Sequence, residues 1–350
     1  MIVSELDERQ LLARIRDRLL RLGRPSSRLV IGIGDDAAVV APTRNAQTVL
    51  TTDAQVEGVH FERGFSTPAE IGYRALAVNL SDLAAMGASP RWALLSLVLP
   101  DGLPVDDLDG IVGGVAESAS HYGVAVIGGN LARSPGPLMV DMTAVGEVRP
   151  RRALTRSGGR AGDELYVSGT VGAAAAGLEM LQATRSERRG NGQDGSHASP
   201  GIGNSCVAKY RRPEPRVRLG LAIAQARAAR AAMDSSDGLA DAVCQLAEAS
   251  GCGAEIDMAA LPIDPAARAW WEAKEIEVVE AALGGGDDYE LLFAIPKAFG
   301  GRLRQVRSRV TEPPLTRIGV LTKDPTVCLR GGDGRRHQLP SGFRHWGTKN

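Results

Sequence analysis

Lysine is scarce in this chain. Of its 41 basic residues only five are Lys, and the first of these is Lys209. No GxxxxGKS or GxxxxGKT phosphate loop therefore exists anywhere in the sequence, and any phosphate the protein handles must be met in another way. Aromatic residues are equally thin at 4%, which leaves no stacking platform for single-stranded nucleic acid. Net charge is zero, with 41 basic and 41 acidic residues, so no global basic field draws the chain to nucleic acid or to anionic lipid. The longest strongly apolar runs, such as Trp92 to Leu99, are about half the roughly 20 residues of a membrane-spanning helix. The N-terminus carries Glu5, Asp7 and Glu8 where a secretory signal would carry positive charge, so a cytoplasmic protein is expected. Cys206, Cys244, Cys252 and Cys328 form no CxxC pair, which points to free buried thiols rather than zinc or a disulfide framework.

What the chain does have is apolar residues, 43% of its 350, together with 42 Gly and 19 Pro. That composition describes a folded protein of about two domains with an Ala, Val and Leu core and many tight turns. Helical spacing of Leu11, Leu12, Ile15, Leu19 and Leu20 predicts a helix over 4–22 with Gly23 as its stop. Thr67 and Glu70 have capping-box spacing around Pro68, so a second helix is expected from Pro68 to about Met86. Near its end Asp82 interrupts the apolar run where the helix dipole disfavours an anion, and it requires a cation or a solvent-facing place. Strands are expected at Leu29–Ile33, Thr48–Thr52, Trp92–Leu99, Val124–Ile127, Leu138–Val148, Glu164–Ser168 and Tyr289–Ile295, with a helix at about Asp106–His121 and another ending near Ala249. The mixture predicts a layered α/β or α+β fold. Composition turns to Arg and Gly near Arg149–Gly162, which places a domain boundary there and gives domains 1–150 and 151–350. A polar stretch at 184–205 reads as an insertion without secondary structure.

Five acidic signatures stand at the ends of these elements: Gly34-Asp35-Asp36, Thr51-Thr52-Asp53, Asn79-Leu80-Ser81-Asp82, Asp234-Ser235-Ser236-Asp237 and Gly286-Asp287-Asp288. Each alone is an ordinary turn or cap, and Asp234 or Ser236 would serve as the cap of the helix that follows. As a set they offer the oxygen ligands that a hard divalent cation takes, and magnesium shared with substrate phosphates suggests phosphoryl chemistry. Without a P-loop Lys, the phosphates would be met by metal, by Arg, and by backbone at Gly128-Gly129 and at Ser157-Gly158-Gly159, which stands beside Arg156. His60, among apolar neighbours, reads more readily as a packing residue than as a catalyst. Ser/His/Asp hydrolysis has no support, since no GxSxG elbow is present.

In order and spacing, GIGDDAAV from Gly32, TTDAQVEGVHF from Thr51, NLSDLAAMGASP from Asn79, RALTRSG from Arg152, DSSDGL from Asp234, GGDDYEL from Gly285 and GFRHW from Gly342 together resemble the thiamine-monophosphate kinase family. That family lies within the superfamily of aminoimidazole ribonucleotide synthetase. The resemblance implies an N-terminal α/β domain that dimerises through its sheet, a C-terminal α/β domain, and ATP bound with several magnesium ions. It implies transfer of phosphate from ATP to thiamine monophosphate, giving thiamine diphosphate. Carried over by motif, Asp36, Thr51, Thr52, Asp53, Asp82, Asp234 and Asp237 would hold magnesium, with Asp53, Asp82 and Asp234 central to catalysis. Gly129, Asn130, Arg156 and Ser236 would contact ATP, while His60, Asp287 and Phe343 would face thiamine monophosphate. One position departs from the pattern: relatives often have Asp after the paired glycines, and Asn130 brings the metal site an amide oxygen without charge. Aminoimidazole ribonucleotide synthetase itself, or a non-catalytic nucleotide- or metal-binding scaffold, are the alternative readings. The lack of a Cys before Cys206 argues against a selenophosphate synthetase.

Overall fold

A computed structural model of the chain describes residues 1–22, 28–190 and 205–342. The chain divides into two compact units, one of Met1–Leu83, Ala88–Pro150 and, among the described residues, 187–190, the other of Ala84–Gly87, Arg151–Ser186 and the described chain from Ser205 onward.

The first unit contains α1 (Glu8–Leu22), β1 (Leu29–Ile31), β2 (Val39–Val40), β3 (Gln47–Val56), α2 (Pro68–Ala85), β4 (Ser89–Pro100), α3 (Val105–Tyr122), β5 (Ala125–Ser134) and β6 (Met139–Val148). The first expected helix starts later than Ser4, because Asp7 and Gln10 exchange capping hydrogen bonds of 2.9 and 2.8 Å that begin the helix at Glu8. Its expected stop, Gly23, lies outside the described residues. At α2 the capping box is formed: Thr67 N–H donates to Glu70 Oε2 at 2.8 Å and Glu70 N–H to Thr67 Oγ1 at 3.3 Å. From Ile71 to Ala85 every residue of this helix is buried except Asp82.

The sheet runs β3-β6-β4-β5. β4 and β5 are parallel, as strands joined through an intervening helix can be, and the other pairs are antiparallel. Three strands exceed the sequence expectation, β4 among them, which runs from Ser89 to Pro100. β3 continues through Asp53 to Val56 because all ten of its residues pair with β6, and β5 continues through Gly128-Gly129-Asn130 to Ser134 beside β4. Helices α2 and α3 meet backbone to backbone, since a Cβ on Gly114 would stand 1.9 Å from the Ala69 carbonyl oxygen, and one on Gly72 the same distance from that of Ile111. Gly114→Ala must push these helices apart. We expect a loss of about 3 kcal/mol or more, at the upper end of ordinary overpacking or beyond it, read as a fall in the urea midpoint. An unchanged midpoint would contradict this close approach.

The second unit contains β7 (Glu164–Ser168), α4 (Ala173–Gly190), α5 (Ser205–Arg211), α6 (Val217–Ala226), β8 (Ala231–Asp234), α7 (Leu239–Ala249), β9 (Gly253–Asp257), α8 (Pro265–Glu272), α9 (Val278–Gly284), β10 (Leu291–Ile295), α10 (Gly300–Arg309), β11 (Leu315–Thr322), β12 (Val327–Arg330) and β13 (Arg336–Gln338). Its seven strands are ordered β13-β12-β9-β11-β7-β10-β8, so β8, with Asp234 as its last residue, ends the order. α4 extends over 184–190, the start of the stretch expected to lack structure. There Thr184 and Ser186 return their hydroxyls to the carbonyls four residues back, and Glu and Arg are good helix formers. The remainder of that stretch, 191–204, lies outside the described residues.

Candidate functional site

Strand alternation divides the first unit's acidic and hydroxyl residues between two faces of its sheet. Thr51 points to the α2 side, where its Oγ1 donates to Asp82 Oδ2 at 2.5 Å, and Asp53, two residues on, shares that face. The awkward carboxylate near the end of α2 is thus met by a hydroxyl. One turn earlier in α2, Asn79 is fully buried. Its Nδ2 donates to the Ala75 carbonyl at 3.0 Å, and its Oδ1 has no hydrogen-bond partner among the described residues. Thr52 faces the other way, with its Oγ1 3.1 Å from Asp141 Oδ1 and 3.3 Å from Thr143 Oγ1. β3 ends the strand order, so its free edge lies between the two groups.

On that second face a cavity of about 1080 Å³ is lined by α1, by the Gly32–Ala38 loop and by β4, β5 and β6. Asp35, Asp36, Gly128, Gly129, Asn130 and Asp141 are among its walls. The paired glycines are strand residues here rather than a loop. A Cβ on Gly129 would stand 1.8 Å from the Leu95 carbonyl oxygen, so the close spacing of β5 and β4 itself demands glycine. Sequence reading missed Asp141, whose only signal is a polar residue within the apolar run Met139–Val145.

His60 closes the turn after β3. Its Nδ1 accepts from the Val56 N–H at 3.1 Å, so the ring is held by its own turn.

In the second unit the two acidic motifs lie side by side. Ser235 N–H donates to the Glu290 carbonyl at 2.9 Å, Ser235 Oγ accepts from Glu290 N–H at 3.2 Å, and Asp287 N–H donates to the Ser236 carbonyl at 2.8 Å. A Cβ on Gly286 would meet that same Ser236 oxygen at 2.7 Å. Asp287 and Tyr289 hold left-handed φ values of 72° and 51°, an uncommon and strained state for residues with side chains. α7 begins after Gly238 without a side-chain cap, so neither Asp234 nor Ser236 caps it. The backbone of Gly342 passes against Asp237, whose carbonyl oxygen lies 2.5 Å from where a Cβ would stand. Phe343, the next residue, lies outside the described residues. Arg156 is exposed and donates to Gln245 Oε1 at 2.6 Å, while Gln245 donates in turn to Asp241.

The two adjacent acids of Gly286-Asp287-Asp288 have different work. Asp288 is buried and accepts from the N–H groups of Gly172 and Ala174 at 2.6 and 3.1 Å, at the start of α4. Burial pushes its carboxyl up to about 7, against the pull of these two amides. The folded state therefore holds a proton that the unfolded state releases, and stability falls as pH rises from about 4 to 7. Asp288→Asn, which cannot ionise, should lose that part of the slope, and the gap between wild type and variant in urea melts should shift in the variant's favour by pH 7. Parallel stability profiles from pH 4 to 8 would contradict this.

Thr51, Asp53 and Asp82 in one unit and Asp234 and Asp237 in the other are oxygen donors, without His or Cys. Among the described residues no group of three or more His, Cys, Asp or Glu could hold a metal by itself. This donor chemistry fits magnesium, which keeps waters and shares substrate phosphates, and does not fit a structural zinc.

Residues 34–148 match the family described as AIR synthase related protein, N-terminal domain, and 160–330 match its C-terminal domain. The thiamine-monophosphate kinase of Escherichia coli K12 is 39% identical over 346 residues, covering 97% of this chain and 98% of that protein. The crystal structure of thiamine-monophosphate kinase from Stenotrophomonas maltophilia K279a superposes with a TM-score of 0.78 at 36% identity, covering 95% of this chain and 98% of that one. A ThiL structure complexed with AMPPCP and TMP, AaThiL, gives 0.73 at 33% identity and covers 99% of each.

Proposed function

The chain belongs to the thiamine-monophosphate kinase family, and on that premise we propose that it transfers the γ-phosphoryl group of ATP in line to the phosphate of thiamine monophosphate. The observation that carries this reading lies in the first unit, where Thr51 Oγ1 of β3 meets Asp82 Oδ2 of α2 as oxygen donors at fixed positions; the second unit by itself carries Asp234 and Asp237 around the end of β8. A bound relative, AaThiL complexed with AMPPCP and TMP, supports the pairing of substrates.

The attacking atom is a phosphate oxygen, already largely ionised at neutral pH because a monoester's second pKa is about 6. No strong general base is needed, and His60, with its Nδ1 tied to Val56, need not act as one. The barrier is the approach of two polyanions, so alignment and charge neutralisation are what the chain must provide. Asp36, Thr51, Thr52, Asp53, Asp82, Asn130, Asp234 and Asp237 would hold several magnesium ions, which when bound neutralise the phosphates and draw them together. Gly129, Arg156 and Ser236 would hold ATP, and His60, Asp287 and Phe343 thiamine monophosphate. Between its donors, the strap Asp234–Asp237 is kept in place by the hydrogen bonds to Glu290 and Asp287. A homodimer through the sheet of the first unit accords with Leu50 of the edge strand β3, left 67% exposed; with no helix among the described residues long and apolar enough to cross a membrane, a cytoplasmic location is proposed too.

The test is ADP formation on adding thiamine monophosphate to enzyme, ATP and magnesium, with the stereochemistry followed on chirally labelled γ-phosphate. A single direct transfer inverts configuration. Retention would reveal a covalent intermediate and overturn in-line transfer, and the absence of thiamine-monophosphate-dependent ADP would overturn the activity.

A further inference from the structure

Net charge over the whole chain is zero, yet three of its segments hold no acid at all. Arg149–Gly162, Pro215–Met233 and Pro296–Thr311 contain fourteen basic residues and no Asp or Glu. Every residue lining a cavity of about 340 Å³ in the second unit comes from these three segments. Among them are Arg152, Gln225 and Arg227 at the end of α6, and Arg302, Gln305 and Arg309, which recur along one face of α10. No carboxylate lines the cavity, and Arg227, Arg302 and Arg309 form no ion pair among the described residues. Two of the guanidiniums are held in place. Arg302 lies 4.1 Å from the centroid of the Phe299 ring and donates from Nη1 to the Arg227 carbonyl at 2.9 Å, and Arg152 Nη1 donates to the Gln225 carbonyl at 3.3 Å. Capping of the last carbonyls of α6 explains those two bonds. It explains neither Arg227 nor Arg309, whose side chains make no hydrogen bond among the described residues. Like charges gathered in one hollow repel, and an anion seated among them removes that repulsion.

We propose that this cavity binds a diphosphate group, free or as an ester, through Arg152, Arg227, Arg302 and Arg309. Guanidinium forks match phosphate oxygens in pairs. A carboxylate brings a single charge and one phosphate a charge of about −1.5 to −2, whereas two linked phosphates set more charge into the same small volume and answer four cations. A nucleic acid strand fits less well, since no aromatic side chain lines the cavity to stack on its bases. None of the residues assigned above to ATP, magnesium or thiamine monophosphate lines it, so the inference is independent of the kinase reading. It gives a place to Arg152, the first residue of the RALTRSG motif, of which the kinase reading uses only Arg156.

The test is calorimetric titration of inorganic pyrophosphate into the full chain, with EDTA present so that no metal holds the phosphates. Wild type should bind one pyrophosphate per chain, and orthophosphate about tenfold more weakly or worse. Arg302→Gln with Arg309→Gln should lower pyrophosphate affinity about tenfold or more, at an unchanged melting temperature because both side chains are exposed. Arg309→Gln alone breaks no hydrogen bond among the described residues and should already cost about threefold, so the result does not hang on the Phe299 stack. Arg304→Gln with Arg307→Gln removes the same charge from α10 outside the cavity and should stay within about threefold of wild type. Equal losses in the two double variants would reveal a diffuse basic surface and overturn the proposal. So would orthophosphate binding as tight as pyrophosphate, or no pyrophosphate bound by wild type. ADP, titrated in the same way, tests the ester: weaker binding of pyrophosphate or ADP by Arg302→Gln with Arg309→Gln supports the site, and loss of neither overturns it.

Discussion

Asp82→Asn is expected to lower kcat/KM for thiamine monophosphate by about 100-fold or more, some 2.7 kcal/mol of transition-state stabilisation, while leaving the nucleotide-free protein at least as stable as wild type. The two effects have opposite signs for one reason. Asp82 is the sole residue between Ile71 and Ala85 that is not buried, and it sits in the last turn of α2, where the dipole disfavours negative charge. Asn keeps an oxygen to accept the Thr51 hydroxyl, now at 2.5 Å, so the packing of α2 on the sheet survives. What disappears is the charge that we propose to hold magnesium. Asp53→Asn should behave alike, since Asp53 shares the face of β3 that carries Thr51. Steady-state rates across a magnesium titration, beside thermal melts without nucleotide, decide both. Wild-type turnover at ordinary magnesium would strike the altered Asp from the ligands.

Arg216→Met should cost about 3–5 kcal/mol of stability, the usual penalty for stranding one member of a buried ion pair. Glu290 is 1% exposed, takes a two-pronged hydrogen bond from the Arg216 guanidinium, and accepts the Ser168 hydroxyl at 2.5 Å. Its carboxylate sits against Gly169, where a Cβ would stand 2.2 Å from it. The backbone of Glu290 is also what Ser235 holds. Activity should therefore fall with stability, through displacement of the strap that carries Asp234 and Asp237. Replacing both partners, Arg216→Met with Glu290→Leu, should restore part of the stability because no charge is left unpaired. A loss below about 1 kcal/mol for the single variant, the range of exposed pairs, would show that Glu290 finds another partner or water.

Local chemistry was legible in the sequence, and so were the acidic motifs. The capping box at Thr67 and Glu70 spans three residues and needs nothing from the rest of the chain, so the start of α2 could be read directly. Glu164–Ser168 reads as a strand from its own residues and is one. The donor types also follow from composition, since a chain with no Lys before Lys209 and with five acidic motifs has few other ways to meet phosphate.

Only the tertiary structure decided where those donors point. β3 does not stop at Thr52, because its length is set by ten pairings with β6, a strand that begins more than 80 residues later. With Asp53 inside the strand, alternation sends Thr51 and Asp53 to α2 and Thr52 to the opposite face of the sheet, a separation invisible in the run Thr-Thr-Asp. Gly128-Gly129-Asn130 has the composition of a loop, yet it is strand, because β4 comes so near that Gly129 cannot carry a Cβ. The neighbouring acids Asp287 and Asp288 part company for a like reason: the start of α4, over 110 residues earlier in the chain, supplies the amides that claim Asp288. A sequence fixes which groups are available and how they cap their own turns. Which face a strand residue shows, and which of two adjacent carboxylates is spent on a helix, depends on partners far along the chain, whose approach is governed by backbone hydrogen bonding and packing.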